Sequence, residues 1–242
     1  MPFLSTAHLC ALLLILGCFY IGRLIKVIPI LRFACAGEAE IKPLFIQPKS
    51  NDGIHLFVFL GSGGHTGEML RLLQNHQEVL LNKRNTFYIG YSDDDSKARF
   101  LSMVEKYDFK AERIHFYPFA KAREVNAGPI ASIVTISKTL LTGFTNVLSI
   151  KMNTLGQPHL TLLNGPGTCC IINFWLKLLE WLIYIPYLSN GSNVVYIESL
   201  ARIESLSLTG KILYLLADVF VVQWEELKVR KAPRSEYYGI LV

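Results

Sequence analysis

Unbroken apolar runs alternate along this chain with stretches of helical periodicity, and the order of the two predicts the architecture. Met1 to Gly22 contains no Lys, Arg, Asp or Glu, and its apolar part from Leu9 to Ile21 extends through Phe3 and Leu4. That is close to the ~20 residues a membrane helix needs, so one spanning helix is expected. Arg23, Lys26 and Arg32 follow the run and no basic residue precedes it. This polarity opposes a signal peptide, although Ala34-Cys35-Ala36 resembles a cleavage site, and it puts the remaining chain in the cytosol. Ala34 to Asp52, with Gly37, Pro43 and Pro48, reads as a linker. Beyond it the pattern predicts strands at Ile54–Leu60, Thr86–Tyr91, Arg113–Phe119, His159–Leu163, Asn193–Ile197 and Val219–Gln223. Helices are predicted between them: Glu68–Leu81, a segment capped by Ser92 and Asp93-Asp94-Asp95 through Tyr107, Pro129–Ile150, Ile171–Leu188, and one ending at Ala217. Strands alternating with helices make a parallel α/β sheet. About 190 residues suffice for one such domain and fall short of two. The expected organisation is a transmembrane anchor at 1–22, a membrane-proximal linker at 23–52, a Rossmann-like domain at 53–228 and a tail at 229–242.

Two of the predicted helices are nearly all apolar. Pro129–Ile150 carries only Lys138 and is long enough to cross a bilayer, yet its Ser and Thr content and the alternating context favour a helix covering the sheet, with lipid contact as the alternative. Ile171–Leu188 places Trp175 and Trp181 on one helix, a core arrangement that would also suit a membrane interface.

The first strand runs directly into Gly61-Ser62-Gly63-Gly64-His65-Thr66-Gly67-Glu68. Glycines between a parallel strand and a helix let backbone N–H groups approach a phosphate. A Walker loop would need Lys and Ser or Thr after its last glycine, where Glu68 stands. The dinucleotide fingerprint fails at Thr66, and a nucleophile elbow fails at Leu60. A second glycine turn, Asn164-Gly165-Pro166-Gly167-Thr168, follows the fourth strand. Ligands of open α/β sheets bind at the carboxyl ends of the strands, so the two turns define one crevice.

Charge and cysteine usage exclude little else. A net charge of +5 without a basic, aromatic-interleaved face does not point to nucleic acid. Five cysteines form neither a disulfide framework nor a metal-ligand spacing, which suits a reducing compartment, and the pair Cys169-Cys170 reads as small apolar packing. Asp93 to Asp95 satisfy a helix N-terminus, and no metal site is assigned. The chain closes on the aromatic, apolar run Tyr237-Tyr238-Gly239-Ile240-Leu241-Val242, which is either tucked into the core or docked on another protein.

With the anchor, the two glycine turns, Tyr196-Ile197-Glu198-Ser199, Ser207-Leu208-Thr209-Gly210-Lys211 and Val222-Gln223-Trp224 laid out, the chain resembles the family of membrane-anchor subunits of eukaryotic UDP-N-acetylglucosamine transferases over nearly its whole length. That family is similar in turn to the bacterial transferase that makes lipid II. There a Gly-Thr-Gly-Gly-His loop lies in the membrane-side half of a two-domain GT-B fold; here Ser62 replaces the Thr, and Gly63, Gly64 and His65 match. The resemblance implies the acceptor half of a GT-B enzyme, with a separate soluble catalytic subunit holding UDP-N-acetylglucosamine. Together they would add a sugar to dolichyl-diphospho-N-acetylglucosamine, in a heterodimer or larger assembly on the cytosolic face of the endoplasmic reticulum and the contiguous nuclear membrane. No tightly bound cofactor is implied, and the need for a divalent ion stays open.

For an inverting displacement His65 is the first candidate base and Glu68 the second. Gly61, Ser62, Gly63, Gly64, Thr66, Asn164, Gly165, Gly167 and Thr168 are expected around the acceptor diphosphate, and Glu124 and Asn126 on the acceptor sugar. The two apolar helices would guide the polyprenyl chain. Trp224 and Tyr237, Tyr238, Gly239, Ile240, Leu241 and Val242 are expected to dock the partner. The alternative is a pure scaffold for a partner that holds all the chemistry; a stand-alone lipid- or nucleotide-binding reductase is disfavoured by the failed fingerprint.

Overall fold

The computed structural model describes residues 6–36, 53–107, 109–122, 129–183 and 191–242. Its first element is the apolar helix α1 (Thr6–Val27), of which His8–Val27 has the length and composition to cross a membrane; its side chains lie outside the protein core except Val27 at its end. The helix runs five residues past the expected end at Gly22. A second helix, α2 (Pro29–Ala36), then occupies the first part of the stretch expected as a linker, starting on a proline whose fixed φ suits a first turn. The rest of that stretch, 37–52, lies outside the described residues.

Among the described residues, seven strands and seven further α-helices follow in alternation. They are β1 (His55–Leu60), α3 (Gly64–Asn75), α4 (Gln77–Leu80), β2 (Thr86–Tyr91), α5 (Asp94–Val104), β3 (Ile114–Pro118), α6 (Pro129–Thr154), β4 (His159–Asn164), α7 (Thr168–Leu182), β5 (Val194–Ile197), α8 (Leu208–Leu216), β6 (Val219–Val222), α9 (Glu225–Lys231) and β7 (Glu236–Tyr237). All strands are parallel, in the order β3-β2-β1-β4-β5-β6-β7. The expected Rossmann-like domain behind one apolar helix is therefore what the chain builds.

β1 is central because it can be buried on both faces. Phe57 and Phe59 meet α6, α7 and α8 through Val147, Ile150, Ile172, Leu176 and Leu213. Leu56, Val58 and Leu60 meet α3 and α5 through Met69, Leu73, Phe100 and Met103. A period of two along one strand thus fills two cores. α6 covers the sheet with its C-terminal half, while Ile133, Val134 and Leu141 in its N-terminal half are exposed.

The anchor is clamped to the domain rather than tethered. Arg23 Nε donates to Trp181 O at 2.9 Å, and its Nη2 donates to Ile183 O at 3.0 Å and to Glu180 O. A cation thereby closes the carbonyl end of α7. Trp181 Nε1 donates back to Tyr20 O at 2.9 Å. Arg32 reaches Asp218 at 3.5 Å, and Asp218 holds Lys177 through both oxygens at 2.8 Å. Burial opposes the charge on Lys177, but Asp218 and Glu180 outweigh it and raise its pKa. This ion cluster lies under the amino ends of β5 and β6, where Asp218 also accepts from Val194 N at 2.9 Å.

The segment expected as a partner-docking tail is largely tucked into the domain. α9 and β7 lie across it, and β7 extends the sheet. Leu241 N donates to Gln223 Oε1 at 3.2 Å and Leu241 O accepts from Asn75 Nδ2 at 3.0 Å, while Val242 packs against the α3-side core.

Candidate active site

The sheet order reverses between β1 and β4, so the loops leaving these two strands diverge to opposite faces and open a crevice between them. Both glycine turns stand there, pressed together. A Cβ on Gly61 would come within 2.8 Å of Pro166 Cδ, and one on Gly165 would overlap the His65 ring. Gly165 is also at φ +98°, a conformation L side chains rarely adopt. Its lack of a side chain makes room for His65, whereas the sequence suggested room for a ligand.

His65 and Glu68 sit in the first turns of α3, three residues apart and so on one face. Asn164, the last residue of β4, joins them. Its Oδ1 lies 3.2 Å from His65 Nδ1, and its Nδ2 donates to Glu68 Oε2 at 3.0 Å and to Ile197 O at 3.1 Å. The other carboxylate oxygen of Glu68 accepts from Ser199 Oγ at 2.7 Å. His65 and Glu68 are half-buried, whereas Asn164 is 2% exposed. Ser199 was quoted in the sequence as part of a motif and given no role. No local pattern could have found it, since 131 residues separate it from Glu68.

The remaining nominated residues divide by what their side chains meet. Thr66 is fully buried, and its hydroxyl donates to Gly61 O and lies 2.8 Å from Ser96 Oγ, latching the first loop to α5. Thr168 is buried and accepts from Ala122 N at 3.1 Å, latching the second turn to the segment after β3. With Asn164 and Gly165 they hold the site's shape from within. Ser62 is half-buried, and Gly63, Gly64 and Gly167 are exposed, so these four face the crevice. Glu124 and Asn126 lie outside the described residues.

The helices that follow β1, β2, β4 and β5 at this edge begin differently. α3 and α7 start on Gly63 and Gly167 with no side-chain cap; α3 leaves first-turn N–H groups open to a ligand, whereas in α7 Cys169 N and Cys170 N donate to Pro166 O at 2.9 Å and Gly167 O at 3.0 Å. α5 is capped by Asp93, which accepts from Ser96 N at 2.9 Å, as its acidic start suggested. Burial works against ionisation of Asp93, but bonds from Ser96 and Lys121 prevail and lower its pKa. α8 is capped by Ser207, which accepts from Gly210 N at 2.8 Å. Behind it Glu198, 1% exposed, accepts from Ser207 N and Oγ at 3.1 Å each and from Ser199 N at 3.2 Å. Burial raises its pKa against those bonds. Burial also pushes the Cys170 thiol up to about 11, in keeping with a packing role for the vicinal cysteines.

Of the residues nominated for docking, Trp224 donates to Leu200 O at 2.7 Å, and Tyr237, Leu241 and Val242 pack on the domain's own cores. Tyr238 and Ile240 are exposed.

A family model described as "Oligosaccharide biosynthesis protein Alg14 like" matches residues 56–241. Curated relatives in several organisms carry the name "UDP-N-acetylglucosamine transferase subunit ALG14". That of Saccharomyces cerevisiae is 48% identical over 243 residues, covering 99% of this chain and 100% of the relative. That of Kluyveromyces lactis is 45% identical, covering 91% and 92%. The Mus musculus protein is 34% identical, covering 83% and 88%.

Proposed function

The chain belongs to the Alg14 family, and from that premise we propose that it is the membrane-anchoring, acceptor-binding subunit of a two-chain UDP-N-acetylglucosamine transferase. The enzyme adds the second N-acetylglucosamine to dolichyl-diphospho-N-acetylglucosamine at the cytosolic face of the endoplasmic reticulum. A soluble partner supplies the donor-binding half. Support comes from the single parallel sheet, which is half of a GT-B pair, from the word "subunit" in the relatives' names, and from α1, which suits a membrane crossing.

The observation that carries the reading is the placement of His65 between two uncapped helix starts at the switch point. The acceptor diphosphate takes the first-turn N–H groups of α3 and lies against the start of α7, where the helix dipoles favour negative charge. Ser62, Gly63, Gly64 and Gly167 line that approach. The acceptor sugar then presents its hydroxyl to His65. As the hydroxyl oxygen bonds to C1 of the donor sugar from the face opposite the nucleotide, its proton passes to His65. The bond from C1 to UDP breaks, and UDP leaves with the bonding pair. The exposed apolar residues of α6, Ile133, Val134 and Leu141, offer the polyprenyl chain a surface. Tyr238 and Ile240 are the tail residues open to the partner.

The test is transfer of labelled N-acetylglucosamine onto a dolichyl-diphosphate acceptor, by this chain alone and by this chain with its soluble partner. Activity only in the mixture, falling at least ~100-fold in His65→Ala, is the expected result. Full activity of His65→Ala would assign the chemistry to the partner and leave this chain a scaffold.

A further inference from the structure

We propose that Asn164 is a positioning residue that holds His65 in the Nδ1–H tautomer and couples its ring to the carboxylate of Glu68, so that Nε2 is the atom that takes the acceptor's proton. The last clause rests on the transferase reading; the tautomer and the coupling do not. The orientation of the Asn164 amide follows from its surroundings. The atom 3.0 Å from Glu68 Oε2 and 3.1 Å from Ile197 O faces two groups that only accept, so it is the nitrogen. The amide oxygen is then the atom 3.2 Å from His65 Nδ1. An oxygen without a hydrogen can only accept, so the bond exists only if Nδ1 carries the proton. In the other tautomer two lone pairs would face each other in a buried position.

None of the three groups can turn to relieve that conflict. Ile197 O belongs to β5, and Asn164 is the last residue of β4, paired with Ile197 in the sheet. Gly165 lies against the His65 ring, and Glu68 is held on its second oxygen by Ser199. Among the described residues, no protein group is hydrogen-bonded to His65 Nε2. The amide thus does two jobs with its two ends. It accepts from the imidazole and donates to the carboxylate, so positive charge gathering on the ring when Nε2 takes a proton is met by Glu68 through the polarised amide. A direct His–Glu contact is replaced by a relay that no spacing in the sequence would reveal.

The tautomer can be read without substrate or partner, from long-range proton–nitrogen correlation spectra of the full-length chain in detergent with its histidine rings labelled with nitrogen-15. His65 is assigned by the signals lost in His65→Gln. The expected wild-type spectrum of the neutral ring has a protonated Nδ1 and a bare Nε2. In Asn164→Ala the His65 signals should move towards the Nε2–H pattern common in water. Glu68→Gln, which preserves both hydrogen bonds without the charge, should keep the tautomer yet lower kcat at least ~10-fold with KM little changed. A protonated Nε2 in the wild type would overturn the proposal, and needs no other variant to fold. A tautomer unmoved in a folded Asn164→Ala would overturn it too, as would full kcat in Glu68→Gln. A correct tautomer with no transfer activity would instead count against the transferase reading alone.

Discussion

Of the helices that start at the carboxyl edge of this sheet, those following β2 and β5 have a side-chain cap, and those following β1 and β4 have none. α5 and α8 begin on Asp93 and Ser207, whose side chains satisfy first-turn N–H groups. α3 and α7 begin on Gly63 and Gly167, which have no side chain to do so. The first pair lies to either side of the crevice and the second pair lines it. Unsatisfied N–H groups cost stability when buried and cost little when a ligand or water meets them, so the open start of α3 marks where an anion belongs. The same contrast separates the carboxylates. The carboxylate of Glu198 is buried behind a capped helix and bonded to Ser207 and Ser199, whereas that of Glu68 is linked to His65 through Asn164.

The contrast breaks most sharply if an open start is closed. Gly64→Asp places a carboxylate on the first residue of α3, where a Cβ meets nothing within 4 Å. The folded domain should gain about 0.3–1 kcal/mol from the helix dipole, read by chemical denaturation. Transfer should fall on the order of 100-fold, because the carboxylate takes the donors meant for the diphosphate. Unchanged transfer would remove α3 from the binding site.

The converse change opens a closed start. Ser207→Ala should cost about 1–2 kcal/mol, since it removes the cap of α8 and one donor to buried Glu198, and should leave kcat within about twofold. A large loss of transfer at unchanged stability would make α8 part of the site after all.

The smallest effect is a pH dependence. The folded protein lowers the pKa of Asp93, so the cap's contribution is present above the ordinary carboxylate range and is lost as pH falls through the lowered value. The denaturation midpoint of the wild type should exceed that of Asp93→Asn at pH 7, and the difference should close on acidification. A difference that widens in acid would reverse the sign of the coupling.

Local pattern by itself determined the strands, because an apolar run of five or six residues between turn residues has few other uses. It placed Thr86–Tyr91 to the residue and the remaining strands within a residue or two at either end. It also determined the apolar anchor and both glycine turns, and it nominated His65 and Glu68; their shared helix face came only with α3 starting at Gly64, ahead of the expected start at Glu68. What it could not supply was anything made between distant segments. Arg23 read as a topological signal, and only the packing of α1 on α7 made it a helix cap. β7 was missed because a two-residue strand carries no period; it forms because β6 presents an edge. Asn164 and Ser199 acquire their roles only when the sheet order brings β4 beside β1 and β5 beside β4. A hydrogen bond is decided within about 3 Å, and residues 96 and 131 positions apart reach that distance only through the whole fold.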